Sequence, residues 1–245
     1  MSCADQTPAV FITSNIKPAD DCTVAIGGLR LYSGRIDTGL AQAYPGETSA
    51  YSIYPVFQSQ LLARASQTPL KPDPNGFIVQ GAEIELLAPD GSPLLMPSGA
   101  PNPYTITTTE PTFIPSSSDG AGVQQSGSME IIPASYVEDL DTLVQQIGSF
   151  TLTAIVKAFG ETTGGKDIDM NAWNWPISVV RLSGASVSFL GADDTEFPGP
   201  CDSTDSPEFL LCKPLGMDDV ADCRYCRDSP NAAVRSCCRD GSCGD

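Results

Sequence analysis

Apolar residues in the middle of this chain recur mostly at every second position, the spacing of half-buried strands, and clusters of turn formers separate the runs. Thr23 to Ile36 alternates through Val24, Ile26, Leu29 and Leu31 around a Gly27-Gly28 bend. Ser52 to Leu62 carries Val56, Leu61 and Leu62, which also fit a helical spacing; a strand is the expectation. Gly76 to Leu87 alternates most clearly, with Ile78, Ala82, Ile84 and Leu86 assigned to one face. Asp90-Gly91 follows as a turn signal, and Leu94 to Met96 reads as a returning strand. Residues 97–127 are rich in Pro, Ser, Thr and Gly, which predicts surface loops around a Thr-rich strand, Tyr104 to Thr109.

One segment has the helical period. Ser135-Tyr136-Val137-Glu138 has capping-box spacing just after Pro133, and Glu138, Asp139 and Asp141 suit the positive end of a helix dipole. Val137, Leu140, Val144 and Ile147 then recur on one face until Gly148 closes the run. A strand from Ser149 to Phe159 alternates through Phe150, Leu152, Ala154 and Val156, and Thr163-Gly164-Gly165 turns it towards its expected partner strand, Asn174 to Leu190. Seven or eight such strands bury their apolar sides most simply as two sheets face to face. The expected fold is therefore mainly β: an immunoglobulin-like two-sheet sandwich with one short helix and a mostly irregular, disulfide-rich C-terminal tail, with a jelly roll or an open barrel as the alternative.

Cysteine usage divides the 245 residues into three parts. Residues 1–22 form a leading or tether segment bracketed by Cys3 and Cys22, and residues 23–190 hold no cysteine and form the sandwich. Residues 191–245 hold Cys201, Cys212, Cys223, Cys226, Cys237, Cys238 and Cys243. Large hydrophobes in this tail are few, chiefly Phe197, Phe209, Leu210, Leu211 and Leu215, too little to offset chain entropy. Disulfides remedy that, each worth roughly 2–4 kcal/mol, and imply an oxidising compartment. Nine cysteines is an odd number, so at least one is free, pairs with another chain in a homo-oligomer, or carries a lipid anchor. A Cys3–Cys22 bridge and a set-aside Cys3 are both open.

Charge and composition narrow the function. The formal net charge of −17 repels a phosphate backbone and an anionic lipid surface, so no nucleic-acid partner is expected. Charged residues are only 18% of the chain, while Gly (22) and Pro (21) are abundant, which suits a loop-rich extracellular β protein. There is no histidine, which removes Ser-His-Asp and Cys-His catalysis and the HExxH zinc motif. No stretch reaches the roughly 18 consecutive apolar residues of a helical membrane span. Met1-Ser2-Cys3-Ala4-Asp5 lacks the features of a signal peptide, so the expectation is an exported chain whose leader lies upstream or has been removed.

Several constellations remain to be weighed. Trp173 and Trp175, two apart on a strand, point to one side and could stack on sugars; alternatively they cap the core. Asp167, Asp169 and Asn171 have the opening of a calcium loop, but Ala172 replaces its Gly and Ser178 its Glu, so an Asp/Asn-rich hairpin turn is the plainer reading. Asp193-Asp194-Glu196 and Glu138-Asp139 are the paired carboxylates a glycosidase would need, and a solvated loop and a helix start account for both. Cys223-Arg224-Tyr225-Cys226 has CxxC spacing without the βαβ context of a redox pair. Four thiolates from Cys212, Cys223, Cys226 and Cys237 could hold zinc; structural disulfides are the expected alternative.

Cys3-Ala4-Asp5, Asp21-Cys22-Thr23-Val24, the stretch Val79 to Leu86 and the tail from Asp222-Cys223-Arg224-Tyr225-Cys226 resemble uncharacterised exported proteins, often lipoproteins, of myxobacteria and related bacteria. The resemblance covers a small part of the chain and implies compartment and fold; it carries no catalytic residue. The expected function is a non-enzymatic cell-envelope or surface protein, extracellular or on the outer-membrane surface, with a structural or adhesive role. No cofactor is expected, and the partner is a surface protein or a glycan. The alternatives are a carbohydrate- or ligand-binding module using Trp173 and Trp175, and a zinc-binding tail module.

Overall fold

The longest strand explains why the sheets lie where they do. In the computed structural model, which describes residues 9–19, 23–41, 50–63, 73–118, 121–181 and 217–218, strand β10 (Phe150–Thr162) buries Leu152, Ala154, Val156 and Ala158 on one face. It pairs antiparallel on both sides, with β6 (Phe77–Leu87) and with β12 (Trp173–Val180). Beyond β6 lies β7 (Tyr104–Ile114), and beyond β12 lies β3 (Gly34–Asp37), which runs parallel to it. The short β11 (Asp167–Asp169) folds back on the end of β10.

A second sheet has the order β2 (Arg30–Leu31), β1 (Val10–Ile16), β5 (Pro55–Ser59), β8 (Val123–Ser126). Strands β4 (Tyr51–Ile53) and β9 (Met129–Ile132) make a third pair. All three share one core, in which Val10, Ile12 and Phe57 meet Ile84, Leu86, Val156 and Ile177. The fold is mainly β and sheet-packed, as the alternating pattern predicts, although twelve strands lie among the described residues where seven or eight are expected.

The differences have local causes. Residues 10–16, assigned to a leading segment, form β1 inside the second sheet; a register shift between Ile12 and Ser14 breaks their alternation. Thr23 to Ile36 is no single strand: only β2 and β3 form there, and Leu29 is exposed. In β6 a bulge at Gln80-Gly81, seen in its pairing with β10, reverses the phase, so Phe77 and Val79 face inward before it and Ala82, Ile84 and Leu86 after it. Ile78 therefore points to the outer face. A Cβ on Gly81 would collide with the Ile106 carbonyl, which is why glycine stands at the bulge.

Residues 97–127 are more regular than their composition predicts: β7 runs to Ile114, and β8 follows. Leu94 to Met96 forms no strand, yet Leu94 and Met96 are buried, and Asn102 holds the segment by donating from Nδ2 to the Leu86 and Leu94 carbonyls at 2.8 Å. The single-turn helix α1 (Thr38–Ala41) packs against α2 (Ala134–Ile147). Pro133 occupies the N-cap of α2 without a side-chain cap, so Ser135 lies inside the first turn and makes no capping box. Gly148, at φ 79°, ends the helix by donating to the Val144 carbonyl at 2.9 Å. Val137, Leu140 and Val144 face the core as predicted, but Ile147 lies past the packed face and is 64% exposed.

That asymmetry is testable by urea unfolding. Leu140→Ala should cost about 2–5 kcal/mol through a buried cavity, whereas Ile147→Ala should stay within about 0.5 kcal/mol. Equal losses would mean that the helix presents a different face.

Candidate functional site

The two tryptophans of β12 do share a side of the strand, and that side is the core. Their rings stack at 5.1 Å with an interplanar angle of 15°. Trp175 is buried, while Trp173 is half-buried and packs against the core at its margin. The Trp175 indole N–H donates to the Tyr51 hydroxyl at 3.0 Å, and Tyr51 in turn donates to Asp218 Oδ2 at 2.7 Å. Trp175 is therefore a core residue with a satisfied polar edge, and it presents no face to a sugar ring.

Asp218 belongs to the tail and sits on the edge strand β3. Its Oδ1 accepts from the Arg35 N–H at 2.6 Å, and its own N–H donates to the Arg35 carbonyl at 3.0 Å. Met217 beside it bridges to Ile36 and is buried in the common core. A Met-Asp pair from the cysteine-rich region is thus built into the sandwich, one side chain in the core and the other in a polar latch. Gly34 makes the latch possible: a Cβ there would collide with the Tyr51 hydroxyl and stand 2.8 Å from Trp175 Nε1. Burial, reinforced by the Asp218 charge, raises the Tyr51 phenol well above its ordinary pKa.

The Asp/Asn segment does not wrap into a loop. Asp167 and Asp169 are exposed on β11, opposite Glu161 and Phe159, and Asn171 is exposed just beyond it. Extended backbone spreads alternate side chains roughly 7 Å apart on one face, whereas a calcium loop curls its ligands round a point. The turn itself is Thr163-Gly164-Gly165, closed by the Gly165 N–H donating to the Thr162 carbonyl at 2.8 Å.

The helix carboxylates serve as latches. Asp139 accepts from the Ser98 N–H at 2.9 Å and the Ser98 hydroxyl at 2.5 Å. Asp141 accepts from the Thr38 hydroxyl at 2.7 Å and from Arg181 Nε at 2.9 Å, which ties α2 to α1 and to the end of β12. Glu138 is exposed on the helix beside them. Asp193, Asp194, Glu196 and all nine cysteines (Cys3, Cys22, Cys201, Cys212, Cys223, Cys226, Cys237, Cys238 and Cys243) lie outside the described residues. Among the described residues, no helix is long and apolar enough to cross a membrane.

One depression could not be seen in the sequence. A cleft of about 450 Å³ runs between β7 and the β4–β9 pair, lined by Ile106, Thr107, Thr108, Thr109 and Glu110 on one wall and by Ser52, Ser128, Met129 and Glu130 on the other. The Thr-rich run was its one visible signal, and nothing in the sequence places residues 128–130 opposite it.

Fold and site together define a mainly β protein with a docked tail segment and a polar cleft. No family model matches the chain, and no curated protein does. Three solved chains match. One, the crystal structure of a protein from Archaeoglobus fulgidus, is 10% identical, with 52% of this chain and 83% of that one covered at a TM-score of 0.29. A likeness of that size carries neither fold nor function to this chain.

The latch yields two expectations. Gly34→Ala should cost about 1–3 kcal/mol by forcing Tyr51 and Trp175 apart, and a thermal melt indistinguishable from the parent would show that the latch tolerates the methyl. The unfolded Tyr51 phenol ionises near pH 10 while the folded one resists, so the folded state holds the extra proton. Stability therefore falls as pH rises above about 10. Tyr51→Phe should lose about 1–3 kcal/mol at neutral pH by stranding the Trp175 N–H and Asp218, and should decline less steeply in alkali. An unchanged alkaline slope in urea titrations would exclude Tyr51 as a contributor.

Proposed function

We propose that this protein is a non-enzymatic, exported envelope or surface protein with a structural or adhesive role. The observation that carries the reading is the crowding of seven of the nine cysteines into the last 55 residues, where apolar side chains are few. Cross-links hold such a segment together where a core does not. The Met217–Asp218 latch supports it further, because it joins that segment to the sandwich through packing and hydrogen bonds. The large sheet turns Thr151, Thr153, Glu83, Lys157 and Asn174 away from the core, together with Ile78 and the exposed Phe113, a mixed surface suited to a partner. Export, surface location and a possible lipid on Cys3 follow from the cysteines and the resemblance to exported bacterial proteins.

The test is the intact mass of native protein after alkylation, with and without reduction, with zinc measured on the same sample. About eight cysteines should resist alkylation until reduced, with no zinc bound. Ready alkylation of most thiols would refute the stapled, exported reading. About one zinc per chain would replace it with a metal-bound tail.

A further inference from the structure

The two edges of the large sheet are treated differently. At β3 the chain covers its own edge with Met217 and Asp218. At β7, the other end of the strand order, no further strand pairs among the described residues, and the edge borders the cleft. Five consecutive residues of β7, Ile106 to Glu110, line that cleft. Successive side chains of a regular strand point to opposite faces, so five lining residues in a row mark a stretch whose backbone, rather than one face, borders the cleft. The ladder gives the cause: Thr107 pairs with Gly81 and Thr112 with Val79, so Thr108 to Pro111 form a bulge opposite the single residue Gln80, and their peptide groups lie outside the β6–β7 register. The Thr108 hydroxyl reaches back across the bulge and donates to the Gln80 carbonyl at 3.2 Å.

We propose that this cleft binds an extended, cationic polypeptide segment, which adds as a short strand to the outer edge of β7 between β7 and β9. Strand addition takes its affinity from main-chain hydrogen bonds and its selectivity from alternate side chains. Here the edge supplies the backbone, Ile106 and Met129 an apolar floor, and Ser52 and Ser128 hydroxyls on the far wall. Glu110 and Glu130 stand on opposite walls, with no Lys or Arg among the lining residues, in a chain of net charge −17. That field attracts a basic segment and repels a second copy of this acidic chain. Pro111 has no N–H to offer, so the open edge ends there and admits a short segment rather than an endless sheet. The proposal is independent of export, since the cleft lies wholly outside the cysteine-rich tail.

The experiment uses the full chain with native thiol state and three end-capped fluorescent peptides: alternating Lys and Val, alternating Glu and Val, and the Lys peptide N-methylated at every second amide. Fluorescence anisotropy should show the Lys peptide binding, the Glu peptide not binding, and N-methylation weakening binding at least about tenfold, as lost main-chain bonds require. Glu110→Gln and Glu130→Gln, both at exposed positions, should each weaken binding about threefold to fivefold. Amide resonances of Thr107 to Glu110 and Met129 should shift on titration. Equal binding of the N-methylated peptide would reduce the effect to charge attraction and overturn strand addition. Failure of the Lys peptide to bind, or shifts located elsewhere, would overturn the site.

Discussion

Strand β10 is hydrogen-bonded along both edges, and that double pairing constrains nearly everything around it. A strand saturated on both sides lies inside a sheet, so its inward side chains need a second layer above them. Leu152, Ala154, Val156 and Ala158 share one buried core with residues of the β1–β5 sheet and of α2. The small residues Ala154, Ala158 and Gly160 bring neighbouring strands and side chains close; a Cβ at Gly160 would collide with the Ile78 carbonyl. A bulge on β6, which leaves Gln80 without a partner on β10, accompanies this closeness.

A sheet with a saturated centre still has two edges, and exposed edges invite unwanted pairing. This protein covers one with a two-residue segment delivered from far along the chain, fixed by a buried methionine and a carboxylate that takes hydrogen bonds from Tyr51 and Arg35. The other edge is interrupted by a bulge and a proline and opens on a polar cleft. Of the tryptophan pair that could pass for a ligand platform, Trp175 instead forms, with Tyr51, the socket of the first device.

Much of the architecture was legible because the physics is local. Alternation over Phe150 to Phe159, the Thr163–Gly165 turn, a partner strand beginning near Asn174 and the amphipathic face of Val137, Leu140 and Val144 all depend on near neighbours in the chain. Strand β1 was hidden because its bulge breaks the period, and Ile78 was placed on the wrong face because the Gly81 bulge reverses it. The roles of Asp139 and Asp141 were equally hidden, since Ser98 and Thr38, their partners, come from distant segments.

The sequence by itself determined the mainly β class, the one amphipathic helix, one sheet partner of β10 and the crowding of cysteines in the tail, because period, turn chemistry and composition are properties of short stretches. Tertiary structure alone decided which tryptophan face is available, where Met217 and Asp218 dock, and that Glu110 and Glu130 face one cleft. Those outcomes depend on long-range register, and register is set by the packing of whole sheets against each other rather than by any residue's neighbours in the chain.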